Sequence, residues 1–314
     1  MTFIRPRVSA LVTGACGFVG SRLVARLVDA GEEVLDLDDL SLGRPESLPA
    51  GVEAAAVDIR DTGALTDLVA LHRPRSVFHL AAIHFVPACN ADPPGALSVN
   101  VVGTQSLLSA LERAHLPDSL VLASTGAVYE PSPHPHHEDS PLAPDDVYGL
   151  SKLWAEQAVR LLHHRTGVPV GLARLFNVIG PGETNPHLVP EVVAQARRGT
   201  DLRLGNLDTR RDYVFVDDVA RGLHTLAEAV PEEGLATVNL GAGRAIDGHE
   251  LIGMIGELLG RRLSVTNNPE LMRPSDRPVL QSDPSAAREL LGWEATTSLR
   301  EALSAAVERP LAAG

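Results

Sequence analysis

The stretch Thr13-Gly14-Ala15-Cys16-Gly17-Phe18-Val19-Gly20 decides the fold of this chain of 314 residues. Its three glycines recur at intervals of three, after an apolar segment at 8–13 and before a segment at 18–29 whose apolar residues have helical spacing. Glycines in this order allow a tight turn, close approach of a pyrophosphate group and close packing of helix against strand. The stretch therefore predicts a dinucleotide-binding turn between a strand and a helix. The expected contacts are Gly14, Gly17, Phe18, Val19 and Gly20.

An acidic cluster ends the second predicted strand, at 33–38. Asp38 stands 18 residues after the last glycine, where a carboxylate accepts hydrogen bonds from both ribose hydroxyls of NAD and repels the 2′-phosphate of NADP. Asp36 and Asp39 flank it, so the pattern favours Asp38 without excluding its neighbours. The first basic residue after the cluster is Arg44. We therefore predict NAD as the cofactor, and a reductase that uses NADPH stays open as an alternative.

Strand and helix patterns alternate through the first half of the chain. Further strands are predicted at 54–58, 76–80, 119–123 and 168–175, and helices at 65–71, 94–114 and 148–164. Repeated βα units of this kind predict a parallel sheet with helices on both faces. The predicted fold class is α/β, a Rossmann-type doubly wound parallel sheet with a smaller C-terminal α/β lobe that binds the substrate.

The alternation breaks at about Asn177. The elements predicted beyond this point are helices at 190–198 and 219–229 and a strand at 237–240 that returns to the main sheet. The predicted NAD-binding domain comprises residues 1–176 and about 213–242. The second predicted domain, which binds the substrate, comprises about 177–212 and 243–314.

The chain contains a single lysine, Lys152, which lies four residues after Tyr148. Arginine supplies the other basic charge, so this lysine stands where arginine is not an adequate replacement. Residues four apart share one face of a helix, and a compact ammonium beside a phenol lowers the pKa of that phenol. The pair predicts Tyr148 as a catalytic base with Lys152 as its cationic helper. A surface pair without function is the alternative from spacing alone.

Composition narrows the class of protein. The net charge is −13 and the isoelectric point about 5.3, which argues against a nucleic-acid partner. No apolar run approaches the roughly 18 residues of a membrane span. Cys16 and Cys89 provide neither a disulfide framework nor a metal-binding spacing, and a reducing cytoplasm fits them. The loop histidines His134, His136 and His137 lack cysteine neighbours, so we expect no metal there and place them in a solvated loop.

Small and polar residues end other predicted strands. Asp58 and Ile59 suit the edge of an adenine ring, and Ala81 and Ala82 leave the backbone accessible to a passing cofactor. The hydroxyl of Thr125 is placed to bond a substrate oxygen and the phenol of the predicted base. Each feature alone is also compatible with ordinary strand-end chemistry, and their order along the chain is what favours a cofactor site.

Several ordered motifs together resemble a known family. They are Thr-Gly-Ala-Cys-Gly-Phe-Val-Gly (13–20), Val-Asp-Ile-Arg-Asp (57–61), His-Leu-Ala-Ala (79–82), Asn-Val-Val-Gly-Thr (100–104), Ser-Thr-Gly-Ala-Val-Tyr (124–129), Tyr-Gly-Leu-Ser-Lys (148–152), Arg-Leu-Phe-Asn-Val-Ile-Gly-Pro-Gly (174–182), Arg-Asp-Tyr-Val-Phe-Val-Asp-Asp-Val-Ala (211–220) and Leu-Gly-Trp (291–293). Over nearly its whole length the chain resembles the extended short-chain dehydrogenase/reductases, and within them the NAD-dependent nucleotide-sugar epimerase/dehydratase family.

The resemblance implies roles for particular residues. The implied catalytic group is Thr125, Tyr148 and Lys152, with Tyr148 as acid and base. The implied cofactor contacts beyond the glycine stretch and Asp38 are Asp58, Ile59, Ala81, Ala82, His84, Asn100, Tyr148 and Lys152. The implied contacts of a nucleotide-diphosphate sugar are Thr125, Asn177, Leu188, Leu202, Leu204, Arg211, Arg273 and Asp276. His84 departs from the lysine found at its position in galactose epimerases, which leaves that contact open.

The resemblance also implies a reaction. Family members oxidise the sugar at C4, and the dehydratases carry Asp-Glu directly after the catalytic threonine. Here these positions are Gly126 and Ala127, which have no group for proton transfer. We therefore predict a 4-epimerase that acts on a UDP-sugar through a transient 4-keto intermediate. A dehydratase, decarboxylase or 4-ketoreductase of the same family remains an alternative, and a non-catalytic dinucleotide sensor is a more distant one.

Two long predicted helices, 94–114 and 148–164, carry apolar stripes. Such stripes also arise when a helix packs on its own sheet. The resemblance implies that these helices pair between two copies of the chain, so we expect a homodimer held by a four-helix bundle.

Overall fold

The computed structural model describes residues 8–183, 185–268, 271 and 277–308. Its main sheet has seven parallel strands in the order β10-β6-β5-β4-β1-β2-β3. These strands, numbered in chain order, are β1 (Ala10–Thr13), β2 (Val34–Asp38), β3 (Glu53–Ala56), β4 (Ser76–His79), β5 (Ser119–Thr125), β6 (Val170–Leu175) and β10 (Leu235–Leu240). The predicted doubly wound fold is confirmed, including the return of the 237–240 segment to this sheet.

Helices cover both faces of the main sheet. One face carries α1 (Phe18–Asp29), α8 (Val216–Glu233) and α10 (Ser285–Leu291), and the other carries α2 (Thr62–His72), α5 (Thr104–Ala114) and α6 (Val147–Thr166). The central strands are buried on both sides, which explains why they read as continuous apolar runs in the sequence. Within the described residues, no helix combines the length and the apolar content needed to cross a membrane.

The predicted single helix at 94–114 is wrong in its interior. The chain forms α4 (Pro93–Leu97), then a π-helical stretch at Ser98–Gly103, and only then α5. The wider turn lets the Asn100 amide reach the backbone of Ile83, accepting from its N–H at 2.8 Å and donating to its C=O at 2.9 Å. Such π-helical insertions occur frequently at functional sites. A short helix before it, α3 (Val86–Ala91), has no counterpart in the sequence analysis.

A smaller lobe packs beyond the carboxyl ends of the main-sheet strands. Its strands are β7 (Asn177–Ile179), β8 (Asp201–Leu204), β9 (Arg210–Phe215), β11 (Ala245–Asp247), β12 (Ser264–Asn267) and β13 (Val279–Leu280). Strand β9 pairs with β7, β11 and β13, while β8 pairs with β12. Its helices are α7 (Leu188–Arg198), α9 (Gly248–Leu258) and α11 (Leu299–Glu308), which enclose a separate hydrophobic core.

Two segments pack in the lobe opposite to the one that the predicted division into domains assigned to them. Strand β9 runs to Phe215 within the sheet of the small lobe. Helix α10 and Trp293 pack on the main sheet, where the Trp293 indole donates to the Asp218 carbonyl at 2.9 Å. The predicted division of the chain into two domains at residues 176, 213 and 242 stays a prediction.

The turn between β1 and α1 leaves no room for side chains on its glycines. A Cβ on Gly20 would lie 2.1 Å from the Gly14 carbonyl oxygen and 2.8 Å from the Ala15 Cα, both of them backbone atoms. We expect Gly20→Ala to lower the free energy of unfolding by about 1–3 kcal/mol, because the helix must move off the strand. Urea unfolding followed by circular dichroism measures this change.

The matched control is Gly253→Ala in α9, where a Cβ would meet nothing within 4 Å. Alanine in an exposed helix interior is expected to add up to about 1 kcal/mol of stability. Equal effects of the two substitutions would contradict the packing argument.

Candidate active site

A cavity with a volume of about 1510 Å³ lies between the carboxyl ends of the main-sheet strands and the small lobe. This edge of a parallel sheet, at the change in strand order between β4 and β1, is where α/β folds bind ligands. The predicted residues that line it are Gly14, Gly17, Phe18, Val19, Gly20, Asp38, Ile59, Ala81, Ala82, His84, Thr125, Tyr148, Lys152, Asn177, Leu188, Leu204 and Arg211. Most of the residues predicted for the site thus line one cavity.

The glycine turn forms one end of the cavity. Gly14 has φ +72°, and a Cβ there would lie 2.8 Å from the Ala81 backbone nitrogen. The turn is held to the sheet by the hydrogen bond from the Gly14 N–H to the Leu37 carbonyl at 2.8 Å. The result is a backbone cradle at the N-terminus of α1, which is suited to a pyrophosphate.

The three carboxylates of the acidic cluster, Asp36, Asp38 and Asp39, occupy different positions relative to the cavity. Asp38 lines the cavity, and its carboxylate accepts from the N–H groups of Cys16 at 3.1 Å and Leu40 at 2.9 Å. Asp39 also lines the cavity, whereas Asp36 lies beneath the turn and accepts from the Cys16 thiol at 3.2 Å. Burial raises the pKa of Asp36 to about 6. Asp38 and Asp39 therefore both face the cavity, and the assignment of Asp38 to the ribose hydroxyls stays a prediction.

Two predicted cofactor contacts lie away from the cavity wall. The Asp58 carboxylate is paired with the Arg60 guanidinium, which lowers its pKa. Asn100 is buried and clamps the backbone of Ile83, and its amide also donates to the Ser151 hydroxyl at 2.9 Å. Asn100 therefore positions the loop after β4 instead of reaching the cavity itself. The role of Asp58 at an adenine edge stays a prediction.

Helix α6 places the predicted acid and base at the end of β5. Asp146 caps the helix by accepting from the Gly149 N–H at 2.7 Å, which fixes the first turn where Tyr148 lies. Thr125 is the last residue of β5, and its hydroxyl hydrogen-bonds the Tyr148 phenol. Lys152 follows one turn later and is 2% exposed. The structure thus brings together the three residues predicted to be catalytic.

Burial shifts the pKa values of both Tyr148 and Lys152. Burial raises the pKa of Tyr148 and outweighs the hydrogen bond from Thr125, which lowers it. Burial also lowers the pKa of Lys152 to about 8, while the nearby Glu156 carboxylate raises it. Desolvation therefore dominates the pKa values of both groups, and the expectation that Lys152 depresses the pKa of Tyr148 stays a prediction.

A buried ion pair supports α6 from below. The Arg174 guanidinium donates to both Glu156 oxygens, at 3.0 and 2.8 Å, and the Ser124 hydroxyl donates to one of them at 2.5 Å. Sequence analysis missed this pair, because 18 residues and a change of element separate its members. The sequence hinted at this pair only by placing a charged residue among the apolar residues of one predicted helix and of one predicted strand.

The predicted substrate contacts have mixed outcomes in the structure. Asn177 faces the cavity, and its Oδ1 is a buried oxygen that has no partner among the described residues. Arg211 lines the cavity and donates to the Arg277 carbonyl at 2.8 Å. Leu202 is buried in the core of the small lobe, away from the cavity. Arg273 and Asp276 lie outside the described residues. Contacts of all these residues with a substrate stay predictions.

Arg277 is a cavity residue that sequence analysis missed. Its guanidinium donates to the backbone carbonyls of Ala127 at 2.8 Å and Tyr129 at 2.9 Å, and it pairs with Asp145. It therefore fixes the turn that follows Thr125. Nothing in local spacing marks it, since its partners lie more than 130 residues away in the chain.

The loop histidines do not form a solvated group. His136 is buried and stacks on the Tyr129 ring with centroids 4.6 Å apart, while His137 faces Asp283 at 3.4 Å. His134 is exposed. The solvated-loop interpretation is wrong for His136, because Tyr129 and the neighbouring polypeptide cover its ring. None of the three lines the cavity.

The fold and the site define a dinucleotide-binding enzyme of the Rossmann type. A family model described as the NAD dependent epimerase/dehydratase family matches residues 10–241. The chain belongs to this family, and NAD is the cofactor of the family.

Similar proteins extend this assignment over the whole chain. The UDP-glucose 4-epimerase of Mycolicibacterium smegmatis is 36% identical over 312 residues, which cover 95% of this chain and 97% of that protein. The structure of a UDP-glucose 4-epimerase from Thermotoga maritima with UDP-glucose matches at 29% identity with a TM-score of 0.89. A UDP-glucose 4-epimerase from Thermus thermophilus in complex with NAD gives the same identity and TM-score. Each match covers 96% of this chain and 98% of the other.

The lowered pKa of Lys152 generates a prediction about cofactor binding. The ammonium is charged below about pH 8 and becomes neutral above it, so its attraction for ribose oxygens weakens as the pH rises. We expect the NAD affinity of cofactor-stripped protein to fall when the pH is raised through about 8. Isothermal titration calorimetry from about pH 7 to about pH 9.5 measures this change.

Lys152→Met provides the control, because it removes the titrating group and keeps an unbranched side chain. The variant should bind NAD more weakly at neutral pH and show little change of affinity across the same range. An unchanged slope in the variant would assign the pH dependence to another group.

Proposed function

We propose that this protein is an NAD-dependent 4-epimerase of a UDP-sugar. The observation that carries the proposal is the placement of Thr125, Tyr148 and Lys152 around one cavity that also contains the glycine turn. The similarity to UDP-glucose 4-epimerases over nearly the whole chain supports it.

The cavity residues fit NAD. The glycine turn provides backbone donors for the pyrophosphate, and the Asp38 carboxylate accepts hydrogen bonds from ribose hydroxyls. The buried Lys152 ammonium forms no ion pair with a carboxylate of the described part of the chain, and it is therefore available to a nicotinamide ribose. When bound, NAD accepts a hydride from the sugar and later returns it.

Tyr148 moves the proton in the proposed reaction. Its phenolate oxygen takes the proton of the sugar 4-hydroxyl as C4 is oxidised, and it returns the proton when C4 is reduced on its other face. The Thr125 hydroxyl bonds the same phenol and holds its orientation. The positive charge of Lys152 stabilises the tyrosinate. Because burial raises the pKa of Tyr148, this charge is needed at the moment of proton transfer.

The residues after Thr125 favour epimerisation over dehydration. Gly126 faces the Phe176 ring, where a Cβ would lie 3.1 Å from a ring carbon, and Ala127 has no side-chain proton donor. The Asp146 carboxylate, which also lines the cavity, already accepts from the backbone at the N-terminus of α6. A 4-epimerase needs only one acid and base, and the two residues that follow Thr125 add no second one.

The far end of the cavity suits a diphosphate and a nucleotide. Asn177 and Arg211 face the space between the lobes, and arginine offers forked donors of permanent charge for phosphate oxygens. Leu188 and Leu204 line the adjacent wall, where they are suited to frame a base. We propose that Arg273 and Asp276 complete this part of the site.

The test of the function is an NMR time course at C4. We expect the wild-type protein to release NAD on denaturation and to invert C4 of a UDP-sugar with no added cofactor. The panel is UDP-glucose, UDP-N-acetylglucosamine and UDP-glucuronate. Tyr148→Phe should lower the rate by about 10²–10⁴-fold, because it removes the acid and base, while NAD binding persists.

Other outcomes of this test separate the alternatives. Loss of the C6 substituent would indicate a dehydratase or decarboxylase, and stoichiometric consumption of added NADH would indicate a 4-ketoreductase. Binding of NAD and UDP-sugar without turnover would indicate a sensor.

We also propose that the protein is a homodimer held by a four-helix bundle. Leu150, Trp154 and Leu161 lie on one face of α6 and are 37%, 47% and 51% exposed, and Val102 on the neighbouring helical segment is 55% exposed. Exposed apolar residues at spacings of four and seven form a stripe that is typical of a helix-packing surface.

The stripe generates a prediction about mass in solution. Trp154→Glu places a charge at the centre of the proposed interface, so we expect light scattering to show a monomer where the wild type is a dimer. Leu71→Glu is the control, because Leu71 is 52% exposed on α2, away from the stripe. Dimers of both variants, or a monomeric wild type, would contradict this interface.

A cytoplasmic location is part of the same proposal. Both cysteines are buried free thiols, which fits a reducing compartment.

A further inference from the structure

We propose that His84, Glu183 and His187 form a binding site for one divalent transition-metal ion, of the kind zinc(II) represents. One ligand atom from each of these residues lies within 4.8 Å of the others. His84 follows β4, while Glu183 and His187 lie in the segment between β7 and α7. The site therefore joins two segments that are about 100 residues apart in the chain.

The donor set matches the preference of such ions. Two imidazole nitrogens and one carboxylate oxygen are ligands that zinc binds in proteins, and three protein ligands leave a coordination position open. Calcium and magnesium prefer sets made of oxygen alone. The proposed occupant is therefore a nitrogen-binding ion.

His84 is in the form that binds a metal. Its ring donates a hydrogen bond to the Ala82 carbonyl, while its Nε2 lies 2.9 Å from the Asn185 amide nitrogen. The proton is thereby assigned to Nδ1, and Nε2 carries the lone pair that faces Asn185. A backbone carbonyl that orients the ring in this way is the usual support of a metal-binding histidine.

The neighbouring rings hold the second imidazole in place. The centroids of the His84 and His187 rings are 6.0 Å apart with an angle of 29° between the planes. The Phe85 and His187 rings form a T-shaped contact with centroids 5.4 Å apart. A metal ion that binds here must displace the Asn185 amide from Nε2, and the Asn185 oxygen is then available as a further ligand.

The site lies in the wall of the cavity. His84, Glu183, Asn185 and His187 all line it, so the open coordination position faces the space for substrate and cofactor. An ion held there would accept water or a phosphate oxygen as its remaining ligand. Its binding would also connect the loop after β4 to the segment before α7, which restricts the opening of the cavity.

The test is direct metal binding by the tag-free full-length protein, purified with the NAD it retains and freed of metal by a chelator. Isothermal titration calorimetry with zinc chloride should show one ion per chain, and cobalt(II) should give the intense visible absorption of a site with few ligands. Zinc should raise the thermal midpoint of the wild type by several degrees, since it binds only the folded chain.

Single substitutions at the proposed ligands make the test specific. His84→Gln, Glu183→Gln and His187→Gln should each weaken zinc binding at least tenfold and abolish the rise in the thermal midpoint. His134→Gln and His249→Gln should bind zinc like the wild type, because both are exposed histidines outside the cavity.

Circular dichroism of each variant without metal shows whether it is folded. If one ligand variant fails to fold, the other two still test the site. Absence of stoichiometric binding in the wild type would overturn the proposal, and so would equal losses in the ligand and control variants. Neither result depends on epimerase activity.

Discussion

The buried ion pair between Glu156 and Arg174 fixes α6, the helix that carries Tyr148 and Lys152, against the sheet. The guanidinium also donates to the Glu138 carbonyl at 2.7 Å and lies 4.7 Å from the centroid of the Tyr129 ring. Removing one partner of a buried pair typically costs about 3–5 kcal/mol, because the other charge is left uncompensated. One contact thus connects α6, β6 and the loop that follows β5.

The same carboxylate affects the charge of the site. Lys152 and Glu156 lie one turn apart on α6, and Glu156 raises the pKa of an ammonium that burial alone would lower further. Lys152 is thereby a buried cation in the wall of the cavity, and a charge in such surroundings acts on its neighbours more strongly than it does in water. Glu156 therefore has two effects: it pairs with Arg174 to support α6, and it raises the pKa of Lys152.

The small lobe completes the cavity from distant parts of the chain. Strand β9 carries Arg211 to the wall, and Arg277 holds the carbonyls of Ala127 and Tyr129 from the other side. The turn after Thr125 is therefore held by a residue of the lobe expected to bind the nucleotide. His84 and His187 come together across the same junction.

The sequence by itself determined the parallel sheet and the glycine turn, and it predicted Asp38 as the ribose acid and Thr125, Tyr148 and Lys152 as the catalytic residues. Each of these depends on local spacing, since a turn, a strand end and one helix face are set by residues close in the chain. Only the tertiary structure decided the π-helical stretch at Asn100, the raised pKa of Tyr148 and the clamp made by Arg277. These depend on burial and on partners far away in sequence, and neither quantity is encoded in a local pattern.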